Sequence, residues 1–164
     1  MKKSRKRAIE KILENVNQRD IVVSSVGMTS RELYGVKDRL LNFYMVSGMG
    51  TCLSVALGMA LNTDRQVIAI LGDGEALMGL GTFVTVNKLH PNNLEIYILD
   101  NGEHASTGGQ KTSSDAVDFE SLNSLVSVIK ISSGKGNAPR IPYLGHEIKE
   151  RFLKALKETK WDCS

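Results

Sequence analysis

Cysteine is scarce in this chain of 164 residues: Cys52 and Cys163 stand far apart and in no metal-ligand spacing. That excludes a disulfide framework and a cysteine-built zinc site, and a reducing cytoplasm is the simplest compartment. Long apolar runs are missing too, so no segment reads as a membrane span. There is little excess of charge, with 21 Lys and Arg against 18 Asp and Glu. Part of the surplus sits in Lys2, Lys3, Arg5, Lys6 and Arg7, which read as the solvated start of a helix and not as a nucleic-acid arm. The next residues, Ala8 to Glu14, place apolar side chains at helical spacing among charges, unlike the unbroken apolar centre of a signal peptide. Internal repeats and low-complexity segments are also lacking. What remains is one domain with an ordinary apolar content, long enough to bury a sizeable core.

Two stretches of matching form stand out against this background. Gln66-Val67-Ile68-Ala69-Ile70-Leu71 delivers Gly72-Asp73-Gly74-Glu75, and Leu94-Glu95-Ile96-Tyr97-Ile98-Leu99 delivers Asp100-Asn101-Gly102-Glu103. Each reads as a buried parallel strand that ends in a polar loop. Ligands of open parallel sheets sit beyond the carboxyl ends of the strands, so Asp73 and Asn101 can converge as hard-oxygen ligands of one cation. Gly72 and Gly74 remove Cβ atoms on both sides of Asp73, which lets the backbone turn and lets a phosphate approach the following amides.

The remaining elements alternate in the α/β manner. Ile9, Ile12, Leu13 and Val16 stripe a first helix, followed by a strand over Ile21 to Ser24. Thr29 with Glu32 has the form of a capping box at the start of a second helix. A short strand over Asn42 to Val46 leads through Ser47-Gly48-Met49-Gly50 into a helix whose small residues Ser54, Ala56, Gly58 and Ala60 permit close packing. One helix is expected from about Glu75 to Leu89, with His90 as a cation at its carboxyl end. After Asp100 comes a polar loop reaching Asp115, of a length that is usually functional. Phe119, Leu122, Leu125 and Val126 suggest a helix, Val128 to Ile131 a last strand, Ser132 to Ala138 a linker, and Glu147 to Leu156 an amphipathic final helix. The expected architecture is a doubly wound, mostly parallel sheet flanked by helices, forming a single domain over residues 1–164.

Gly72-Asp73-Gly74, followed after a helix and a strand by Asn101, resembles the thiamine diphosphate motif. Asp100-Asn101-Gly102, His104 and Ser106-Thr107-Gly108-Gly109-Gln110 resemble more narrowly the decarboxylases of sulfopyruvate and phosphonopyruvate. The same family is suggested by Thr29-Ser30-Arg31-Glu32-Leu33-Tyr34, Asn42-Phe43-Tyr44-Met45, Gly48-Met49-Gly50 and Pro139-Arg140-Ile141-Pro142. One departure is visible: relatives usually carry a further helix and strand between the Phe119 region and the Pro139 segment, which leaves the edge of the sheet open to question.

The resemblance implies the diphosphate-binding domain of the thiamine diphosphate fold, with Mg²⁺ held by the side chains of Asp73 and Asn101 and the backbone carbonyl of Glu103. It further implies that Gly72, Gly74, Ala105 and the amide of Glu75 meet the cofactor, with the Glu75 carboxylate pointing away and Asp100 in support. Met49 would wedge the cofactor into its bent form, with Ser47 and Gly48 beside the aminopyrimidine. His104 is the candidate proton donor or acid-binding group, while Ser106, Thr107 and Gln110 offer neutral donors to an anionic tail. The implied activity is decarboxylation of a small anionic 2-oxo acid, sulfopyruvate or phosphonopyruvate, to the aldehyde, the cofactor carrying the hard chemistry. The aminopyrimidine's glutamate partner belongs in this superfamily to a separate pyrimidine-binding domain, so the expected form is a β-type subunit in a hetero-oligomer built on dimers, inactive without its α-type partner. Two alternatives stay open at this point: a carboligase subunit like that of acetolactate synthesis, and a non-catalytic cofactor-binding or regulatory module.

Overall fold

A computed structural model describes residues 2–158. Cys163, considered above with Cys52, lies outside the described residues, and Cys52 is a buried free thiol. The centre is a five-stranded sheet in the order β2-β1-β3-β4-β7, formed by β1 (Ile21–Ser24), β2 (Asn42–Tyr44), β3 (Val67–Gly72), β4 (Leu94–Asp100) and β7 (Val126–Lys130). Every neighbouring pair in it is parallel. A two-stranded antiparallel hairpin, β5 (Glu103–His104) and β6 (Gln110–Lys111), stands apart from it. The expected doubly wound architecture is therefore present.

Strand alternation divides the core between the two faces of the sheet. Ile21 and Val23 of β1, Val67, Ala69 and Leu71 of β3, and Leu94, Ile96 and Ile98 of β4 pack with α3 (Cys52–Ala60), α5 (Leu80–Leu89) and α7 (Gly145–Glu158). Val22, Ile68, Ile70 and Leu99 face the other way, against α1 (Arg5–Leu13) and α2 (Met28–Val36). Within α3, Ala56 and Ala60 are the small residues turned to the core, while Ser54 and Gly58 are exposed and Ser54 hydrogen-bonds Thr82 Oγ1 at 2.8 Å.

Several local expectations are corrected. Thr29 and Glu32 do not form a capping box: Gly27 is the N-cap of α2, at φ 81, and makes no side-chain cap bond. Thr29 is buried inside the helix, and Glu32 turns to Arg5, whose Nη1 donates to its Oε1 at 3.3 Å. The helix expected from about Glu75 to Leu89 is two helices, α4 (Asp73–Met78) and α5, broken at Gly79. The chain packs too closely there for a side chain, since a Cβ on Gly79 would lie 2.6 Å from the Gly50 carbonyl oxygen. His90 caps α5 in the left-handed conformation, at φ 44. The second strand stops at Tyr44, and the helix begun at Phe119, α6 (Phe119–Leu122), ends before Leu125, because Val126 already belongs to β7.

The edge of the sheet at β7 is closed by the chain itself. In this parallel pairing, the N–H groups of Val126 and Val128 point away from β4. The first donates to the Asn123 carbonyl at 3.1 Å and the second to the Glu120 carboxylate at 3.0 Å. Lys3 forms a parallel bridge with Ile131 just beyond. An edge strand whose outward donors are already satisfied is a poor template for further pairing.

Candidate functional site

The strand order reverses between β1 and β3, and at such a switch point the loops leaving the carboxyl ends of the strands diverge to form a crevice. A cavity of about 150 Å³ lies there. The loop after β1 contributes Ser25, Gly27 and Thr29; the turn after β3 contributes Gly72, Asp73, Gly74 and Glu75; the segment after β4 contributes Asn101, Glu103, His104, Ala105, Ser106 and Thr107. Met49 and Arg5 complete the wall. Ser47, Gly48 and Gln110, singled out in the sequence, are not among its lining residues. Ser47 and Gly48 are exposed in the turn before α3, and Gln110 lies in the exposed hairpin, where its Nε2 donates to the Thr107 carbonyl at 3.2 Å.

Asp73 is the buried centre of this arrangement, 2% exposed. Its Oδ2 accepts a short hydrogen bond from the hydroxyl of Thr112, and its Oδ1 faces Asn101. One terminal atom of the Asn101 amide lies 3.1 Å from Asp73 Oδ1 and 3.0 Å from the Glu103 carbonyl oxygen. With the amide nitrogen in that place, it donates to both. With the amide oxygen there, its one donor among the described residues is the Glu103 N–H at 3.4 Å, and it faces two other oxygens, Asp73 Oδ1 and the Glu103 carbonyl, with little to offset the repulsion. A cation relieves that repulsion. Octahedral Mg²⁺ at about 2.1 Å from each ligand sets adjacent oxygens about 3.0 Å apart, which is the spacing seen. Among the described residues no three His, Cys, Asp or Glu side chains cluster as a metal site. A donor set of one carboxylate and neutral oxygens suits a hard cation such as Mg²⁺ or Ca²⁺.

The glycines around Asp73 differ in their roles. Nothing lies within 4 Å of a Cβ placed on Gly72, whereas one on Gly74 would meet His104 Cε1 at 2.5 Å and Met49 Cε at 3.3 Å. Only Gly74 makes room for the site, and it brings the His104 imidazole and the Met49 thioether to one spot. The Glu75 carboxylate is buried and turned away, accepting from the Cys52 N–H at 2.9 Å at the start of α3. Its position next to the Cys52 thiol adds to burial in pushing that thiol's pKa up, burial being the larger cause.

Asp100 holds the base of the hairpin. It accepts from Ser114 Oγ at 2.9 Å, from the Gly102 N–H at 3.0 Å, and from Lys130 Nζ. Burial alone would raise its pKa, but these bonds outweigh it and hold the carboxyl below its ordinary value. The Glu103 side chain reaches outward to accept from the Gly134 N–H at 2.6 Å, tying the hairpin to the linker over Ser132 to Ala138.

Comparison with known proteins agrees with this geometry. Residues 23–159 match the family described as thiamine pyrophosphate enzyme, C-terminal TPP binding domain. The chain belongs to that family. Thiamine diphosphate is therefore the cofactor class of this TPP-binding domain. It is 50% identical over 104 residues to the sulfopyruvate decarboxylase subunit beta of Methanocaldococcus jannaschii, covering 63% of this chain and 55% of the relative. The same subunit of Methanococcus maripaludis is 34% identical over 178 residues, covering 92% of this chain and 96% of the relative. That alignment is longer than the chain, so it contains gaps on this side. The phosphonopyruvate decarboxylase of Streptomyces hygroscopicus is 50% identical over 115 residues, covering 70% of this chain and 29% of the relative. In fold, the domain matches a thiamin diphosphate-dependent enzyme described from Mycobacterium smegmatis with TM-score 0.64 and 18% identity, over 84% of this chain and 32% of that one. No described helix is long and apolar enough to cross a membrane.

Three residues at the site carry no mark in the sequence. Thr112 closes the polar loop as one hydroxyl among several, Ser25 accepts from the Gly72 N–H at 3.2 Å, and Arg5 arrives from a helix far up the chain. The length of the Asp100–Asp115 loop was the available signal for the first. For the other two there was none.

Proposed function

We propose that this TPP-binding domain is the diphosphate-binding subunit of a thiamine diphosphate-dependent sulfopyruvate decarboxylase, joined to a pyrimidine-binding subunit in a hetero-oligomer. The observation that carries the reading is that one terminal atom of the Asn101 amide lies 3.1 Å from Asp73 Oδ1 and 3.0 Å from the Glu103 carbonyl, distances that three oxygen ligands of a small divalent cation would also show. In this reading those groups would hold Mg²⁺, which would supply positive charge for the diphosphate, and Thr112 fixes the carboxylate that carries the charge.

When bound, thiamine diphosphate supplies the carbon nucleophile and the electron sink for loss of carbon dioxide. The chain's own residues do the rest. The amides of Gly74 and Glu75 would meet the phosphates. Met49 would orient the rings from the cavity wall. His104, held against Gly74, would donate the proton that replaces the departing carboxylate. Ser106 and Thr107 offer hydroxyls to the anionic tail of the substrate.

Sulfopyruvate is favoured over phosphonopyruvate because the chain spans nearly the whole of a β subunit named for the first and a minor part of an enzyme named for the second. A cavity of about 150 Å³ is small for this cofactor, so further walls are needed, and the relatives' designation as subunit beta points to an α-type chain that supplies them. The buried free thiol of Cys52 favours a reducing, cytoplasmic setting. The test is a carbon dioxide and aldehyde assay on sulfopyruvate with Mg²⁺ and the cofactor. Turnover is expected when the chain is mixed with its pyrimidine-binding partner and not when it is alone. Turnover by the chain alone would refute the split site, and joining of a second 2-oxo acid in place of protonation would show a carboligase.

A further inference from the structure

The cofactor cavity has one Lys or Arg among its described lining residues, Arg5 at the start of α1. The side chain is 8% exposed and donates from Nη1 to Glu32 Oε1 at 3.3 Å. A guanidinium has five N–H donors, and no other described residue accepts from this one. Glu32 takes one of those donors, and the others have no acceptor in the described protein, so the guanidinium can still take up an anion. Arg5 borders two cavities, this one and a larger one shared with Glu32 and the linker over Ser132 to Ala138, and in this one it is the basic side chain that an entering anion would meet. The charge of the site points the same way. A diphosphate entering beside Asp73 brings more negative charge than one divalent cation offsets once the Asp73 carboxylate is counted.

We propose that Arg5 is a cofactor-binding residue of this chain, its guanidinium pairing with the terminal phosphate of thiamine diphosphate. Arg5 lies outside residues 23–159, the part of the chain that matches the TPP-binding family, so the match to that family does not include it. It also explains the burial of an ion pair at that point of the fold: Glu32 holds the guanidinium at the cavity wall, and Gly136 closes over Glu32 so tightly that a Cβ there would lie 2.4 Å from its Oε1.

The proposal rests on the cofactor reading above, and calorimetry on the full chain together with its pyrimidine-binding partner, in excess Mg²⁺, separates the two. Removing Arg5 alone strands Glu32 in the interior, so the variants are Arg5→Lys, which keeps the charge, and the double change Arg5→Met with Glu32→Gln, which removes the pair without leaving a buried charge. For the double variant, thiamine diphosphate is expected to bind at least about tenfold more weakly, the loss of a charge-assisted phosphate contact. Its preference for the diphosphate over thiamine monophosphate should shrink, its affinity should depend less steeply on salt, and Arg5→Lys should recover part of the loss. A folded double variant with unchanged affinity and unchanged salt dependence would overturn the role of Arg5 while leaving the cofactor reading intact. Failure of the unaltered chain to bind thiamine diphosphate with its pyrimidine-binding partner present would overturn both.

Discussion

The hydroxyl of Thr112 donates to Oδ2 of Asp73 across 39 residues of sequence, which leaves Oδ1 of that carboxylate directed at Asn101. A bond of this kind fixes the direction in which a metal-binding oxygen points. Replacing Thr112 with Val keeps the shape and removes the donor. Outer partners of metal ligands are worth roughly 10- to 100-fold in metal affinity, so Thr112→Val should weaken Mg²⁺ binding by about that much. Calorimetric titration of Mg²⁺ in the presence of thiamine diphosphate reads the change. An unaltered affinity would mean that Asp73 needs no such orientation.

The two glycines flanking Asp73 should respond differently to the same substitution. Gly74→Ala drives a methyl group into His104 and Met49, whereas Gly72→Ala meets open space at φ −84. Gly72→Ala is expected to shift the stability of the unliganded chain by no more than about 0.5 kcal/mol and to leave the His104 ring where it is. Gly74→Ala should move the His104 ring, seen as a change in its imidazole NMR resonances, and should weaken cofactor binding. Equal behaviour of the two variants would show that the close approach at Gly74 does not matter.

Asp100 gives the fold an acid-sensitive hinge at the base of the hairpin. Its carboxyl is held below the ordinary value in the folded state, so it contributes stability that is complete above the unfolded pKa, near about 3.9, and is lost as pH falls through the folded one. Lys130 is largely exposed, which limits its share of the effect. The melting temperature of Asp100→Asn should therefore fall short of the unaltered chain's by a constant amount above about pH 5, and the gap should narrow as pH drops below about 4. A gap independent of pH would remove Asp100 from the acid response.

Much of this was legible in the chain. Periodicity marked β1, β3 and β4 to within a residue or so, because strands buried on both faces read as unbroken apolar runs whatever surrounds them. The convergence of Asp73 and Asn101 was legible because each follows such a run with one residue between, at the same end of neighbouring parallel strands. Other features depend on contacts between distant segments. Gly79 breaks its helix because Gly50 passes close by, and Glu32 leaves its cap for Arg5 on another helix; neither neighbour is visible in local sequence. Tertiary pairing likewise turned the polar loop after Asp100 into a hairpin that returns Thr112 to Asp73, where composition showed only a long polar segment.

In the proposed site Asp73, Asn101 and the Glu103 carbonyl gather a divalent cation through which the diphosphate is held. The decisive measurement is titration of the full chain, with its pyrimidine-binding partner, by thiamine diphosphate in Mg²⁺ and again in EDTA, repeated with Asp73→Asn, which keeps the shape and removes the charge. Binding is expected in Mg²⁺, with its loss in EDTA and a fall of at least about tenfold for Asp73→Asn. Equal affinity with and without the metal, or in the presence and absence of the carboxylate charge, would contradict it.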